Sequence, residues 1–326
     1  MEAFYRKVYL HSWQVIRNNW YLLFFGLFVS ALGLTGDFKA LSNLQGQDIV
    51  SSTLTDWINI FQTFATSQIT WDKMPTLLLL IGSFLLLAVI LVMAISSQGA
   101  LIDAANQSHK KTNSKYLLIN HLQVGVENFW SLFGLNVLNK LISFVFVVGV
   151  ISPIIYLLSL TQSASMMNFI ISVVVFFIIL PIAVIISFVT RYGASYVIIK
   201  KQNITQAFFN AWTLFKVNWI VSLENALLLL VTTVVYTIAL ISILTFIATP
   251  FLIIGYLVAQ VSILAFWLLI FIGTFLAIAI FISAVSLFGA YYTIVWTELF
   301  LHLTDRKKRH SKIHRLAAKH LPALTK

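Results

Sequence analysis

The chain has 326 residues, of which 60% are hydrophobic and 10% charged, with a mean hydropathy of +0.94 and a net charge of +11. Soluble domains carry about 25% charged residues, so a water-soluble fold is excluded; the apolar runs are continuous rather than alternating, which leaves helices as the way to satisfy the backbone in lipid. The absence of cysteine excludes disulfides, thiolate metal sites and cysteine nucleophiles.

The first predicted element is an amphipathic helix lying at the membrane interface. Tyr5, Tyr9, Trp13, Ile16 and Trp20 form one stripe at helical spacing, and Lys7, His11, Gln14 and Asn18 form the opposite one. A span near 20–36 follows. It resembles a secretory signal in being short and following charge, but Trp20 has counterparts at Trp130 and Trp219 that open later spans, so it is read as retained. The loop 37–74 carries Asp37, Asp48, Asp56 and Asp72, and Leu54, Trp57, Ile58, Phe61 and Phe64 predict a second flat helix within it. Only Lys39 and Lys73, of the 21 Lys and Arg, fall in this loop.

A span near 75–97 leads to Gly99-Ala100 and a basic loop, 106–120. A worn copy of the first lead-in, Leu122 to Trp130, opens a span near 131–160. Asn136, Asn139 and Lys140 give that span one polar face. The next span, near 168–190, closes on Gly193-Ala194. Asn203 with Gln206 three residues later has the pattern of a capping box and starts a third lead-in helix. Its stripe is Ile204, Phe208, Trp212, Phe215 and Trp219. The span near 219–247 carries Glu224 and Asn225; Thr249-Pro250 is the clear break after it, and 251–263 has the character of a re-entrant or interfacial segment. The last span, near 264–295, contains Gly289-Ala290. The tail is a basic amphipathic helix, with Lys308, Lys312, Arg315 and Lys319 along one side and Ile313, Leu316, Ala317 and Leu321 along another.

Ser12-Trp13 to Trp20, Leu122-Gln123 to Trp130 and Ala211-Trp212 to Trp219 are three copies of one motif, and each apolar stretch that they open ends on a Gly-Ala pair. Repetition at this spacing marks one supersecondary unit used three times. The expected fold is an all-α polytopic bundle of six spans, built as three units of interfacial helix plus hairpin: 1–105, 106–198 and 199–300, with a basic tail over 301–326. Positive residues stay cytoplasmic. Both termini are therefore expected inside, and 37–74 outside.

Ionisable groups within spans are functional candidates by default. Lys140 and Glu224 sit at depths that differ by roughly 7 Å at 1.5 Å per residue, so they are expected to approach each other. With Asn136, Asn139 and Asn225 they make a candidate polar site, either an interhelical clamp or a place for a headgroup, proton or ion. The tail lysines and Arg315 are expected to rest on anionic headgroups. Nucleic acid is not an expected partner, because no aromatic residues interleave with the basic run. Catalysis finds no support either. Gly193-Ala194-Ser195 lacks the second glycine of an intramembrane serine protease, and no histidine lies inside a predicted span to act as base. His310 and His314 share a face without an evident third ligand, and no metal or cofactor is expected.

The stretch Gln206-Ala207-Phe208-Phe209-Asn210-Ala211-Trp212-Thr213-Leu214-Phe215-Lys216-Val217-Asn218-Trp219, with Arg191-Tyr192 closing the preceding span, resembles the membrane domain attached to some glycerophosphodiester phosphodiesterases and its stand-alone prokaryotic relatives. The family's usual Ser before the first Trp is Ala211 here, although Ser12-Trp13 keeps it in the first copy. The resemblance implies a prokaryotic inner-membrane protein and no phosphodiesterase activity, since that chemistry belongs to a separate soluble barrel. The functional expectation is a non-enzymatic membrane protein that binds or moves lipids or small amphiphiles, or supports a complex with a protein partner or further copies of itself. The alternative is a permease-like transporter using the Lys140–Glu224 region.

Overall fold

The computed structural model describes residues 4–31, 74–110, 118–146 and 166–305, and all regular structure among them is α-helical. The helices are α1 (Phe4–Asn18), α2 (Leu22–Ala31), α3 (Met74–His109), α4 (Leu118–Glu127), α5 (Phe129–Phe146), α6 (Met166–Lys200), α7 (Ile204–Val217), α8 (Trp219–Ala259) and α9 (Ile263–Thr304). Among the described residues, three helices are long and apolar enough to cross a membrane: Ile81–His109 within α3, α8 and α9, with hydropathies of 2.4, 2.6 and 2.8. The flat helix expected within 37–74 and the basic tail beyond Asp305 lie outside the described residues.

Each copy of the motif is a short helix, a break and a second helix. Asn218, with φ −122° and ψ 29°, separates α7 from α8, and its amide bonds Leu214 O and Phe215 O. Asn19 and Asn128 close the equivalent breaks, their amides bonding Ile16 O and Val124 O. At the start of α7, Asn203 is the N-cap in extended backbone, but its side chain makes no capping bond. The expected capping box is therefore not formed; the Asn203 carbonyl accepts from Ala207 N at 2.8 Å instead. Lys201, in the left-handed region at φ 51°, turns the chain out of α6.

Two boundaries differ from expectation. Helix α8 runs through Thr249-Pro250 to Ala259, and the reversal falls at Gln260-Val261-Ser262. Residues 251–259 are thus a continuation of the span and not a re-entrant segment. Pro250 lacks the N–H that would bond Phe246 O, and such a proline is tolerated in apolar helices; next to it the Thr249 hydroxyl donates to Thr245 O at 2.7 Å. Helix α9 likewise continues past 295 to Thr304. At 1.5 Å per residue α8 and α9 are each about 60 Å long, twice the ~30 Å hydrocarbon layer, so a good part of each lies outside it.

Burial is concentrated at one end of the bundle, in 94–106 of α3, 188–198 of α6 and 286–302 of α9. These three stretches pack on one another, with α2 between α3 and α9 and α5 between α3 and α6. The short helices dock in cyclic order: α1 on α9, α4 on α3 and α7 on α6. Away from this packed end, side chains such as Phe84, Phe246, Phe275 and Val261 stand exposed, which suits lipid as solvent. Association in lipid depends on close packing rather than escape from water, and small residues permit it. A Cβ built on Gly26 would lie 2.0 Å from Ser286 O, one on Gly125 2.0 Å from Ser96 O, and one on Gly289 2.0 Å from Ser30 Oγ.

Only part of each amphipathic stripe is buried against the bundle. In α1 the buried residues are Val8, Ser12, Val15 and Ile16, while Trp13 is 44% exposed. In α7 they are Ala207, Ala211 and Phe215, and Trp212 is exposed. The three opening tryptophans, Trp20, Trp130 and Trp219, are all exposed at the packed end. That is the position of interfacial anchors.

Candidate functional site

The five sequence-predicted polar residues fall into two separate groups. Glu224 and Asn225, near the start of α8, meet α1: the Tyr5 hydroxyl donates to Glu224 Oε2, and the Tyr9 hydroxyl lies 3.2 Å from Asn225 O and 3.3 Å from Asn225 Oδ1. One turn before them, Ser222 Oγ pairs with Tyr192 Oη of α6 at 2.7 Å. Burial, followed by the neighbouring Glu224 carboxylate, pushes the Tyr5 phenol well above its ordinary value, so it stays protonated and donates. Asn136, on α5, instead donates to Gln98 Oε1 of α3 at 3.2 Å and to Leu132 O at 2.9 Å. Asn139 is half-buried and Lys140 is exposed.

Lys140 and Glu224 do not form the expected pair; among the described residues no ion pair joins them. The reason is the order of docking. Helix α5 packs on α3 and α6, whereas α1 reaches across from the first copy to the third and takes the place beside α8. The tail residues Lys308, Lys312, Arg315 and Lys319 lie outside the described residues.

The separate surroundings of Glu224 and Lys140 predict different costs on mutation. Tyr5→Phe removes a hydrogen bond to a charged group and should cost about 1.5–3 kcal/mol. Lys140→Met, at an exposed position away from any network, should stay within about 0.5 kcal/mol of wild type or stabilise. Thermal unfolding of the two variants in detergent checks the order, and a more damaging Lys140→Met would contradict it.

The densest polar cluster at the packed end involves residues the sequence reading passed over. Glu298 on α9 is fully buried, with His109 Nδ1 of α3 3.0 Å from Oε2 and His11 Nε2 of α1 3.3 Å from Oε1. The rings of His302 and His109 meet edge-on with centroids 5.1 Å apart. A related pair joins α4 to α3: His121 Nδ1 lies 2.8 Å from Asp103 Oδ2, which also accepts from Gln107 Nε2 at 2.6 Å, and Tyr21 stacks on the His121 ring. At the equivalent position of α7 an uncharged pair ties the helix to the turn before it, Asn210 Nδ2 donating to Gln202 Oε1 at 2.9 Å. His11, His121 and Asn210 each stand one residue before the aligned Ser12, Leu122 and Ala211. The equivalent position of the three motif copies thus supplies two interhelical contacts, from His11 and His121, and one contact to an adjacent turn, from Asn210. The recurrence of a polar side chain just before each aligned position was a signal available in the sequence.

Between α2, α3, α6 and α9 lies a cavity of about 30 Å³, lined by Gln98, Arg191, Ser195, Thr293, Trp296 and Thr297 among others. The Arg191 guanidinium sits 4.6 Å from the Tyr292 ring and 5.0 Å from the Trp296 ring and donates to the Tyr292 hydroxyl. The space holds a water or two at about 10–15 Å³ each. Ser195 donates its hydroxyl to Arg191 O at 3.2 Å.

A second, larger space lies far from these polar groups. A groove of about 490 Å³ runs between α8 and α9, lined by Leu244, Thr245, Ala248, Phe251, Leu252, Ile270, Gly273, Thr274, Ala277, Ile278 and Phe281. It exists because the facing residues Ala248, Gly273, Thr274 and Ala277 are small, while the Phe251 ring lies directly on Gly273. Comparison with protein-family models, with curated proteins and with solved structures found no match for the chain.

Proposed function

We propose that the chain is a non-enzymatic integral membrane protein of a prokaryotic inner membrane, with six spans in three repeated units and both termini cytoplasmic, that binds lipids or small amphiphiles along its α8–α9 hairpin. The groove carries this reading. Its volume falls within the ~300–1,000 Å³ range of small-molecule sites, its lining is apolar except for Thr245 and Thr274, and its helices are among the most apolar in the chain. An acyl chain is the occupant that matches such a lining at membrane depth. The cyclic docking of α1, α4 and α7 is in keeping with a repeated unit, the three exposed tryptophans suit a packed end at a membrane interface, and the positive charge of the segments at that end favours the cytoplasmic side. The basic tail, attracted to anionic headgroups, would add a second lipid contact on that same side. The permease reading loses its motivating observation, because Lys140 and Glu224 belong to different helix pairs.

The groove is tested with a photoactivatable fatty-acid probe on protein reconstituted in vesicles. Labelled peptides from wild type should map to 244–281. Ala277→Phe and Ala248→Phe, which fill the groove from opposite arms, should each lower that labelling several-fold while leaving the unfolding temperature near wild type. Equal labelling of folded wild type and both variants would refute the groove as a binding site.

A further inference from the structure

We infer that His11, His109 and Glu298 form a binding site for a divalent transition metal of the zinc class at the packed end of the bundle. The three side chains come from α1, α3 and α9, and one donor atom of each lies within 4.8 Å of the others. Two imidazoles and a carboxylate are a recurrent zinc donor set that leaves a fourth position for water. With no cysteine in the chain, softer thiolate-bound metals have no ligand to favour them.

The decisive observation is how His11 meets Glu298. Nε2 and Oε1 are 3.3 Å apart, yet the contact is not aligned as a hydrogen bond, and both atoms are sealed from solvent without a hydrogen-bond partner. Leaving a buried carboxylate oxygen and a buried ring nitrogen unsatisfied is costly. Two ligands on a tetrahedral ion with bonds of about 2.0–2.1 Å are separated by about 3.3 Å, so one ion between them would satisfy both atoms at the spacing observed. The related contact on α4 behaves differently. His121 and Asp103 are joined by an aligned 2.8 Å hydrogen bond, and Gln107 donates to the same oxygen. No third ligand atom joins that pair among the described residues. Only where α1 meets α9 does an arm from elsewhere, α3, bring another histidine.

Access is consistent with exchange. The side chains of His11 and His109 are 32% and 29% exposed, while Glu298 is buried. An ion entering from the packed end would meet the imidazoles first and the carboxylate behind them. Bound there, it would tie α1 of the first copy to α9 of the third, where the ring of units closes.

The test uses the full chain purified without a polyhistidine tag and with His310→Ala, His314→Ala and His320→Ala, which remove the tail's own ligands. After chelator treatment it is titrated with Zn²⁺ and, separately, with Co²⁺. One ion per chain should bind and raise the unfolding temperature, and the Co²⁺ form should show visible absorption typical of a low-coordinate N/O site. His11→Ala, His109→Ala and Glu298→Gln should each weaken binding by more than about 100-fold, beyond what loss of an outer-shell partner costs, whereas His121→Ala should leave it unchanged. X-ray absorption of the zinc-loaded parent should report two imidazoles, independently of whether any variant folds. Absence of stoichiometric binding by the parent, or binding indifferent to all three ligand substitutions, would overturn the assignment.

Discussion

Gly26→Ala should destabilise the protein by about 3 kcal/mol, the upper end of the usual cost of overpacking, while Gly82→Ala should leave stability unchanged or raise it by up to about 1 kcal/mol through better helix propensity. The same methyl group is added in both cases. At Gly26 it would lie 2.0 Å from Ser286 O and 2.8 Å from Ala290 N. Both are backbone atoms of α9 and cannot rotate aside, so α2 and α9 must separate. That would also stretch the bond from Ser30 Oγ to Val285 O, now 3.1 Å, and lift Gly289 away from Ser30. At Gly82 nothing lies within 4 Å of the new atom. The nine tryptophans provide a fluorescence signal for thermal unfolding in detergent. Equal melting temperatures for the two variants would mean that α2 does not pack against α9 as described.

The contrast between these glycines also explains what the sequence made legible. The helical class and the helix breaks near Trp20, Trp130 and Trp219 follow from local features: apolar run length, the Asn residues at the breaks, and the repeated motif. Helix faces were harder to read. Periodicity separates apolar from polar, but in lipid both the core and the solvent are apolar. Trp13 and Trp212 share their stripes with the buried Ile16 and Phe215 yet are exposed, while Ser12, Ala207 and Gly125 look unremarkable and are buried. Side-chain size was the better indicator, because small residues let helices approach.

The candidate site was less accessible for a second reason. Tyr5 and Glu224 are 219 positions apart, and His109 and Glu298 are 189 apart. These pairings depend on the first copy closing onto the third, which no local pattern announces. Pairing Lys140 with Glu224 from their depths assumed that the spans carrying them were neighbours. Depth along a helix was legible; which helices are neighbours was not. Glu298 escaped notice because it ends a stretch from Trp219 in which Glu224 is the only other charged residue. The structure carries α9 beyond the expected end of its span and surrounds that carboxylate with histidines.

The orientation we propose puts the packed end of the bundle on the cytoplasmic side and the α8–α9 turn on the opposite side. The chain lacks cysteine, so single cysteines report position without background. Val261, 89% exposed at the α8–α9 turn, and Thr205, exposed in the first turn of α7, are the informative pair. With a membrane-impermeant maleimide on intact cells, Val261→Cys should label fully and Thr205→Cys should label only after permeabilisation. Labelling of Thr205→Cys in intact cells, with Val261→Cys protected until the membrane is opened, would contradict the orientation and with it the placement of both proposed sites.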